Sequence, residues 1–194
     1  MGNFEENTQK LMDENFVLDH INQIRSLFKY NSEYAFDPRL NIPNLIRYIC
    51  TCIDLEDDQI QKACLQLLRE LSFNLKKVLD SELNMLLSTL FTLYNKNDNE
   101  DIQNDTYYTL KTLSKYSSDI KMLHYIILMP HEMFERYKKI NAHCMDHILG
   151  KESLNIFVFE EQNLKKIITL TAELYLDKAN YIADLAKSII CSVY

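Results

Sequence analysis

The chain has 194 residues, of which 47% are hydrophobic and 25% are charged, a composition typical of a globular protein with a substantial core. Gly2 and Gly150 are its only glycines, and it has three prolines. Glycine is the usual residue in hairpin turns and nucleotide-binding loops, so its scarcity excludes a GxGxxG fingerprint and a P-loop and favours helices. The net charge of −7 disfavours nucleic-acid binding, because phosphate contacts need clustered lysines and arginines.

The first predicted helix covers about residues 8–29, where apolar residues from Leu11 and Phe16 to Leu27 recur at helical spacing. Residues 31–38 are interpreted as a linker. A second helix is predicted over 41–53, with Pro43 in its first turn, where its missing N–H has no intrahelical partner to lose. The acidic run 54–58 ends that helix and is expected to cap the next one.

The same apolar spacing predicts a third helix over 58–75 and six further helices after it. Ser81 is predicted to cap the helix that follows it. The segment 156–159 has the composition of a strand but is interpreted as a buried linker, because it has no partner strand. The remaining predicted helices span 82–94, 101–116, 119–129, 132–149, 161–175 and 180–193.

The helices after the first form four consecutive pairs, each about 35 residues long, which is the period of helical repeats. A single amphipathic pair cannot bury both of its faces, so neighbouring pairs are expected to stack. The predicted fold class is therefore all-α, an α-α superhelix of helical hairpins, with residues 1–194 forming a single domain. An irregular helical bundle is the alternative.

Three segments, 57–64, 138–149 and 176–187, each combine a charged turn with a hydrophobic residue and a small Ala or Cys. In this order and spacing they resemble the HEAT-type, armadillo-like TOG domain, and within it the CLASP and crescerin branch. The resemblance implies a flat paddle that binds tubulin along its turns, through an aromatic residue and several lysines. The residues at or near the matching positions are Phe16, Lys96, Lys138, Lys139 and Lys178.

The second turn of this chain is acidic, whereas the resemblance implies a basic one; Glu56, Asn141 and Ala183 stand where the family often has arginine. An acidic partner such as tubulin would be repelled at that turn, because like charges across an interface oppose binding. The alternative function is therefore a generic HEAT or armadillo scaffold that binds a basic peptide or protein. The acidic residues concerned are Asp54, Glu56, Asp57 and Asp58.

Residues that could do chemistry have simpler structural interpretations. His143 and His147 have the i, i+4 spacing of a metal-binding pair, but no HExxH motif is present, so both are interpreted as structural. Cys50 and Cys52 form C-x-C rather than C-x-x-C and are interpreted as core residues. The acidic turn at 97–101 lacks the glycine of a calcium loop. We expect a protein-binding module that is not an enzyme and uses no cofactor or metal.

The expected location is the cytoplasm, and the resemblance adds the cytoskeleton or a cilium as narrower alternatives. No signal-peptide pattern opens the sequence, and no apolar run approaches the length of a membrane span. The five cysteines fall in apolar helical runs, which fits reduced thiols. We therefore expect a protein partner and neither a nucleic-acid nor a membrane partner.

Overall fold

The computed structural model describes residues 14–30, 41–117, 119–149 and 161–176. These ranges consist of helices and turns and contain no strand, which confirms the all-α prediction. The chain divides after Tyr116 into two compact units, each of which is described by itself. The prediction of a single domain over 1–194 stays a prediction.

Between residues 14 and 116, the described part of the first unit contains five α-helices and one 3₁₀ helix, Lys76–Ser81, which follows the third α-helix directly. Its helix boundaries lie within two residues of the predicted ones, except at the start of the first helix, where residues 8–13 lie outside the described part of the chain. The five helices are α1 (Glu14–Tyr30), α2 (Ile42–Ile53), α3 (Asp58–Leu75), α4 (Leu83–Lys96) and α5 (Glu100–Tyr116).

Two stacked helix pairs form the first unit. Helix α2 packs on α3 and α4 packs on α5 within each pair, while α2 contacts α4 and α3 contacts α5 between the pairs. Helix α1 packs against α3. The first helices of the two pairs contact each other, and so do the second helices. This is the arrangement expected of helical repeats.

Local sequence signals explain where the first pair begins and turns. The Asn41 side chain accepts a hydrogen bond from the Asn44 backbone N–H at 3.0 Å, and Pro43 lies in the first turn of α2, as predicted. Asp57 has extended backbone angles, and its Oδ1 accepts the Ile60 N–H at 2.7 Å. The acidic run therefore caps α3, as predicted.

Helix α3 is the centre of the first unit, because it packs against α1, α2 and α5. Its predicted apolar stripe is fully buried, and buried residues occur around most of its circumference. The stripes of α4 and α5 are also confirmed, including Phe91 on α4 and the buried Thr106 on α5. The confirmed residues of α3 are Ile60, Cys64, Leu67, Leu68, Leu71 and Leu75.

The predicted stripe of α1 is confirmed at Ile21 and wrong at Phe16 and Leu27. Phe16 is 54% exposed and Leu27 is 47% exposed, whereas Val17, Ile21 and Phe28 are buried. The buried face therefore keeps Ile21 but contains Val17 and Phe28 in place of their neighbours, since adjacent residues on a helix point about 100° apart. The adjacent hydrophobic residues at positions 16 and 17, and again at 27 and 28, leave open which of the two is buried.

The predicted cap at Ser81 is also wrong. Residues Lys76–Ser81 form a 3₁₀ helix, and the Ser81 hydroxyl donates to the Val78 carbonyl at 3.4 Å. Glu82 precedes α4 and makes no side-chain capping bond. Helix α3 ends because Lys76 has a positive φ of 48°, which interrupts the right-handed helix.

The second unit contains α6 (Asp119–Leu128), α7 (His131–Arg136), α8 (Lys138–Leu149) and α9 (Glu161–Tyr175). Helix α6 packs against α8 and α9, and α7 packs against α8. In α9, Ile167, Leu170 and Leu174 are buried, whereas Ile168, predicted to be in the core, is 53% exposed. The predicted segments at 156–159 and 180–193 lie outside the described residues.

The single helix predicted over 132–149 is broken at Tyr137, which separates α7 from α8. Tyr137 is buried and leaves helical geometry, with φ −103° and ψ 19°. The buried Asn141 amide donates to the Phe134 carbonyl at 3.2 Å and so satisfies a carbonyl at the end of α7. At this break the Asn141 side chain takes the place of the backbone N–H that would bond the Phe134 carbonyl in a continuous helix.

No helix in the described ranges has the combined length and apolar character of a membrane span.

We expect Asp57→Ala to lower the free energy of unfolding by about 1 kcal/mol, because it removes the cap of α3. Urea denaturation followed by circular dichroism measures the change. Glu56→Ala is the matched control, since Glu56 is exposed in the same turn, and its effect should stay below about 0.5 kcal/mol. Equal effects of the two substitutions would show that the capping bond does not stabilise the protein.

Candidate functional site

The turn that joins α2 to α3 and the turn that joins α4 to α5 lie side by side in the first unit, and we call this end of the unit the turn edge. A cleft of about 260 Å³ opens between the two turns. Its apolar part is formed by Ile53 and Leu93, at the last turns of α2 and α4. The cleft is therefore a direct product of stacking one helix pair on the next.

Charge is concentrated around this cleft. Four carboxylates and one ammonium group line it, which leaves three net negative charges. All five side chains are exposed at the rim, where water and a partner can reach them. They are Asp54, Glu56, Asp58, Asp98 and Lys96.

A buried amide holds the two turns together. Gln61 is only 6% exposed. Its Nε2 donates to the Ile53 carbonyl at 3.2 Å and to the Leu55 carbonyl at 2.8 Å. Its Oε1 accepts a hydrogen bond from Asn97 Nδ2 at 2.7 Å. One side chain in α3 thus binds its own turn and the neighbouring turn at the same time.

A second set of hydrogen bonds orders the α4–α5 turn. Asn97 Oδ1 accepts the Asn99 N–H at 2.8 Å, and Gln103 Nε2 donates to the Asn97 carbonyl at 2.9 Å. Asn99 Nδ2 donates to Asp58 Oδ2 across the cleft at 2.5 Å. The backbone of the turn edge is therefore held in one conformation by polar side chains.

The rim carboxylates differ in whether they take part in the hydrogen bonds that order the two turns. Asp58 accepts the Asn99 amide. Asp54, Glu56 and Asp98 are exposed and make no side-chain hydrogen bond with the residues that the structure describes. These three carboxylates remain available to a ligand.

Phe16 lies at the same end of the unit as the turn edge. His20 on α1 contacts Tyr48, with ring centroids 5.4 Å apart and Nδ1 to Oη at 3.2 Å, and Arg25 pairs with Glu70 of α3 at 3.1 Å. Tyr48 shares a hydrogen bond with Cys52, and Cys52 shares one with Cys64 of α3. The five-residue step from His20 to Arg25 along α1 therefore matches the six-residue step from Cys64 to Glu70 along α3.

Helices α1 and α3 therefore run in the same direction. Phe16 is one turn before His20, towards the end where α3 begins. Its ring centroid is 6.2 Å from that of His20, and it is more than half exposed. The predicted aromatic contact residue is thus on the surface at the expected end.

The other predicted binding residues lie outside the described part of the first unit. Lys138 and Lys139 belong to the second unit, where Lys138 Nζ lies 3.1 Å from Glu135 Oε2 and its side chain is 18% exposed. Lys139 is exposed. Lys178 lies outside the described residues.

The prediction treated the acidic turn at 54–58 by itself and missed Asp98 as its neighbour. The available signal was repetition, because acidic residues occur in two successive turns of the same helical period. Stacking at that period puts equivalent turns side by side. No sequence signal identified Gln61, since a polar residue in an apolar helix has many possible roles.

The cysteines of the described residues are buried thiols. Burial raises the pKa of Cys50, and it raises the pKa of Cys144 to about 12. A hydrogen bond with Cys52, together with burial, raises the pKa of Cys64. A thiol with a raised pKa is a poor nucleophile, because the thiolate is the reactive form. Cys50, Cys64 and Cys144 therefore serve as core residues, whereas a hydrogen bond with Cys64 lowers the pKa of the equally buried Cys52.

A scan against protein-family models and a search of curated proteins found no match to the chain.

We expect Gln61→Ala to lower the free energy of unfolding by about 2 kcal/mol, because it leaves buried carbonyls and the Asn97 amide without partners. Chemical denaturation measures the loss. Gln59→Ala provides the control, since Gln59 is exposed two residues earlier in α3. A loss no larger than that of the control would mean that the buried amide does not hold the turn edge together.

Proposed function

We propose that the chain is a protein-binding module, not an enzyme, that holds a cationic segment of a partner protein in the cleft at its turn edge. The observation that supports this most directly is the group of four carboxylates around one cleft, opposed by a single lysine. A cleft lined mainly by one sign of charge concentrates ligands of the opposite sign. Lysine and arginine side chains are the cationic groups that a protein partner offers.

The size of the cleft also favours a side chain over a metabolite. Pockets that enclose drug-sized ligands start at roughly 300 Å³, whereas this cleft measures about 260 Å³ and opens at the surface. One long side chain can place its methylene groups against Ile53 and Leu93. Its charged end then meets Asp54 or Asp98 at the rim, as long cationic side chains do elsewhere.

The hydrogen-bonded framework supports binding through rigidity. Gln61 and Asn97 order the two turns in the free protein, so little conformational entropy remains to be lost when a partner docks. Recognition would therefore depend on charge placement and on the apolar floor. This mechanism requires no cofactor.

The fold supports the wider hypothesis of a HEAT-type, TOG-like repeat protein. Stacking of α2 on α4 and of α3 on α5 is the arrangement that such a protein requires in its first unit. A cytoplasmic location is part of the proposal, since the four cysteines of the described residues are free thiols.

We expect Asp54→Asn/Glu56→Gln/Asp98→Asn to weaken binding of a lysine- and arginine-rich octapeptide by about tenfold, because three rim charges contribute about 0.5 kcal/mol each. Fluorescence anisotropy of the labelled peptide at two salt concentrations measures this. The substitutions avoid Asp57 and Asp58, which take part in the structure of the turn.

A matched control keeps the total charge change the same. Asp19→Asn/Glu82→Gln/Glu132→Gln removes three negative charges from residues that do not line the cleft. If the control weakens the peptide as much as the cleft variant, attraction is due to net charge alone and the proposed site is wrong. An octapeptide in which glutamate replaces the basic residues should not bind.

Tubulin binding is the second candidate, and the exposed Phe16 is the observation that favours it. Phe16 and Lys96 lie at the same end of the first unit, where the TOG resemblance requires an aromatic residue and a lysine. A large exposed aromatic ring is a typical anchor in protein interfaces. On this candidate the protein acts on the cytoskeleton or in a cilium.

If tubulin is the partner, Phe16→Ala should reduce co-elution with tubulin in gel filtration, with an affinity loss of about tenfold or more. Leu27→Ala is the control, because Leu27 is also exposed and apolar but lies near the other end of α1. Absence of co-elution of the unaltered protein at tens of micromolar tubulin would exclude this candidate and leave the basic-partner proposal in place.

A further inference from the structure

A group of three potential metal ligands lies in the second unit. His131 and Glu135 are four residues apart on α7, and Glu173 is on α9. One ligand atom from each side chain lies within 4.8 Å of the others. The i, i+4 spacing puts the first two side chains on one face of their helix.

Glu173 provides a second, independent observation. Its Oε2 is buried and has no hydrogen-bond partner among the residues that the structure describes. The imidazole Nδ1 of His131 is 3.8 Å from this oxygen, too far for a hydrogen bond. Burial of a carboxylate oxygen is energetically costly unless a cation lies beside it, and a metal ion between this oxygen and the His131 imidazole would supply one.

We propose that His131, Glu135 and Glu173 bind a divalent transition-metal ion of the Zn²⁺ type. An imidazole nitrogen favours such ions over Mg²⁺ and Ca²⁺, which prefer oxygen ligands alone. Zinc bonds of about 2.0–2.2 Å in a tetrahedron separate ligand atoms by roughly 3.3 Å. Small side-chain movements reach this spacing from the 3.8 Å found between Nδ1 and Oε2.

The remaining contacts of the group are compatible with an ion. Lys138 Nζ lies 3.1 Å from Glu135 Oε2, and a carboxylate can bind a metal through one oxygen while the other keeps its lysine. The Glu173 side chain is 36% exposed overall, so solvent offers a path to the site and water can complete the coordination.

The site would have a structural effect, because its ligands come from two helices. Helix α7 has only six residues, too few to be stable without tertiary contacts. A metal ion that joins His131 and Glu135 to Glu173 would cross-link α7 to α9. The ion would then stabilise the second unit independently of the partner site in the first.

Isothermal titration of the full chain with ZnCl₂ tests the proposal. We expect one Zn²⁺ per chain, no binding of MgCl₂ under the same conditions, and a rise in melting temperature with Zn²⁺. His131→Ala and Glu173→Gln should each weaken Zn²⁺ binding at least ~10-fold. Because these residues are on different helices, a loss of Zn²⁺ binding in both variants would not result from destabilising a single helix.

Two controls make the result decisive. Glu132→Gln removes one negative charge, as Glu173→Gln does, from an exposed position on the helix that carries His131. This variant should bind Zn²⁺ like the unaltered chain. His143→Asn tests the other i, i+4 histidine pair, on α8, and should also leave binding unchanged. The proposal is overturned if Zn²⁺ does not bind, or if His131→Ala and Glu173→Gln bind it as tightly as Glu132→Gln does.

Discussion

The hydrogen bond between Gln61 and Asn97 is the constraint on which the turn edge depends. It joins two turns that belong to successive helix pairs and so sets the distance between the charges they carry. Gln61 also donates to the carbonyls of Ile53, the last residue of α2, and of Leu55, just after it, where the helix offers no backbone partner. A single buried amide therefore satisfies the end of one helix and positions the next repeat. An apolar residue at position 61 would fill the space but would leave these polar groups unsatisfied.

Structural and binding roles are divided between neighbouring carboxylates at this edge. Asp57 caps α3, and Asp58 accepts the Asn99 amide across the cleft. Asp54, Glu56 and Asp98 have no such bonds among the described residues and extend the negative charge into solvent. The same acidic composition thus ends one helix, begins another and leaves charge for a ligand. An acidic partner surface would meet carboxylates held in place by the fold, and for this reason we propose a basic partner at this edge.

The second unit shows how one buried polar residue can change local architecture. Asn141 donates to the carbonyl of Phe134 and makes an interruption at Tyr137 possible within an otherwise helical sequence. A continuous helix would give His131 and Glu135 a different direction relative to α8. The break leaves them on a short helix, with their ligand atoms close to the Glu173 carboxylate. The proposed metal site is therefore a consequence of the interruption.

The sequence by itself determined the all-α class, the positions of most helices and the core stripes of α3, α4 and α5. Scarce glycine, proline in a first turn and leucine repetition are local signals, and each acts within one helix. It also located the acidic turn, Lys96 and Phe16, but in α1 it assigned Phe16 to the buried stripe in place of Val17, because two adjacent apolar residues leave open which one is buried. Only the tertiary structure decided that Asp98 lies beside Asp54, that Gln61 bridges two turns, and that Glu173 meets His131. These relations join residues more than 30 positions apart, and their geometry depends on how whole helices pack rather than on any local pattern.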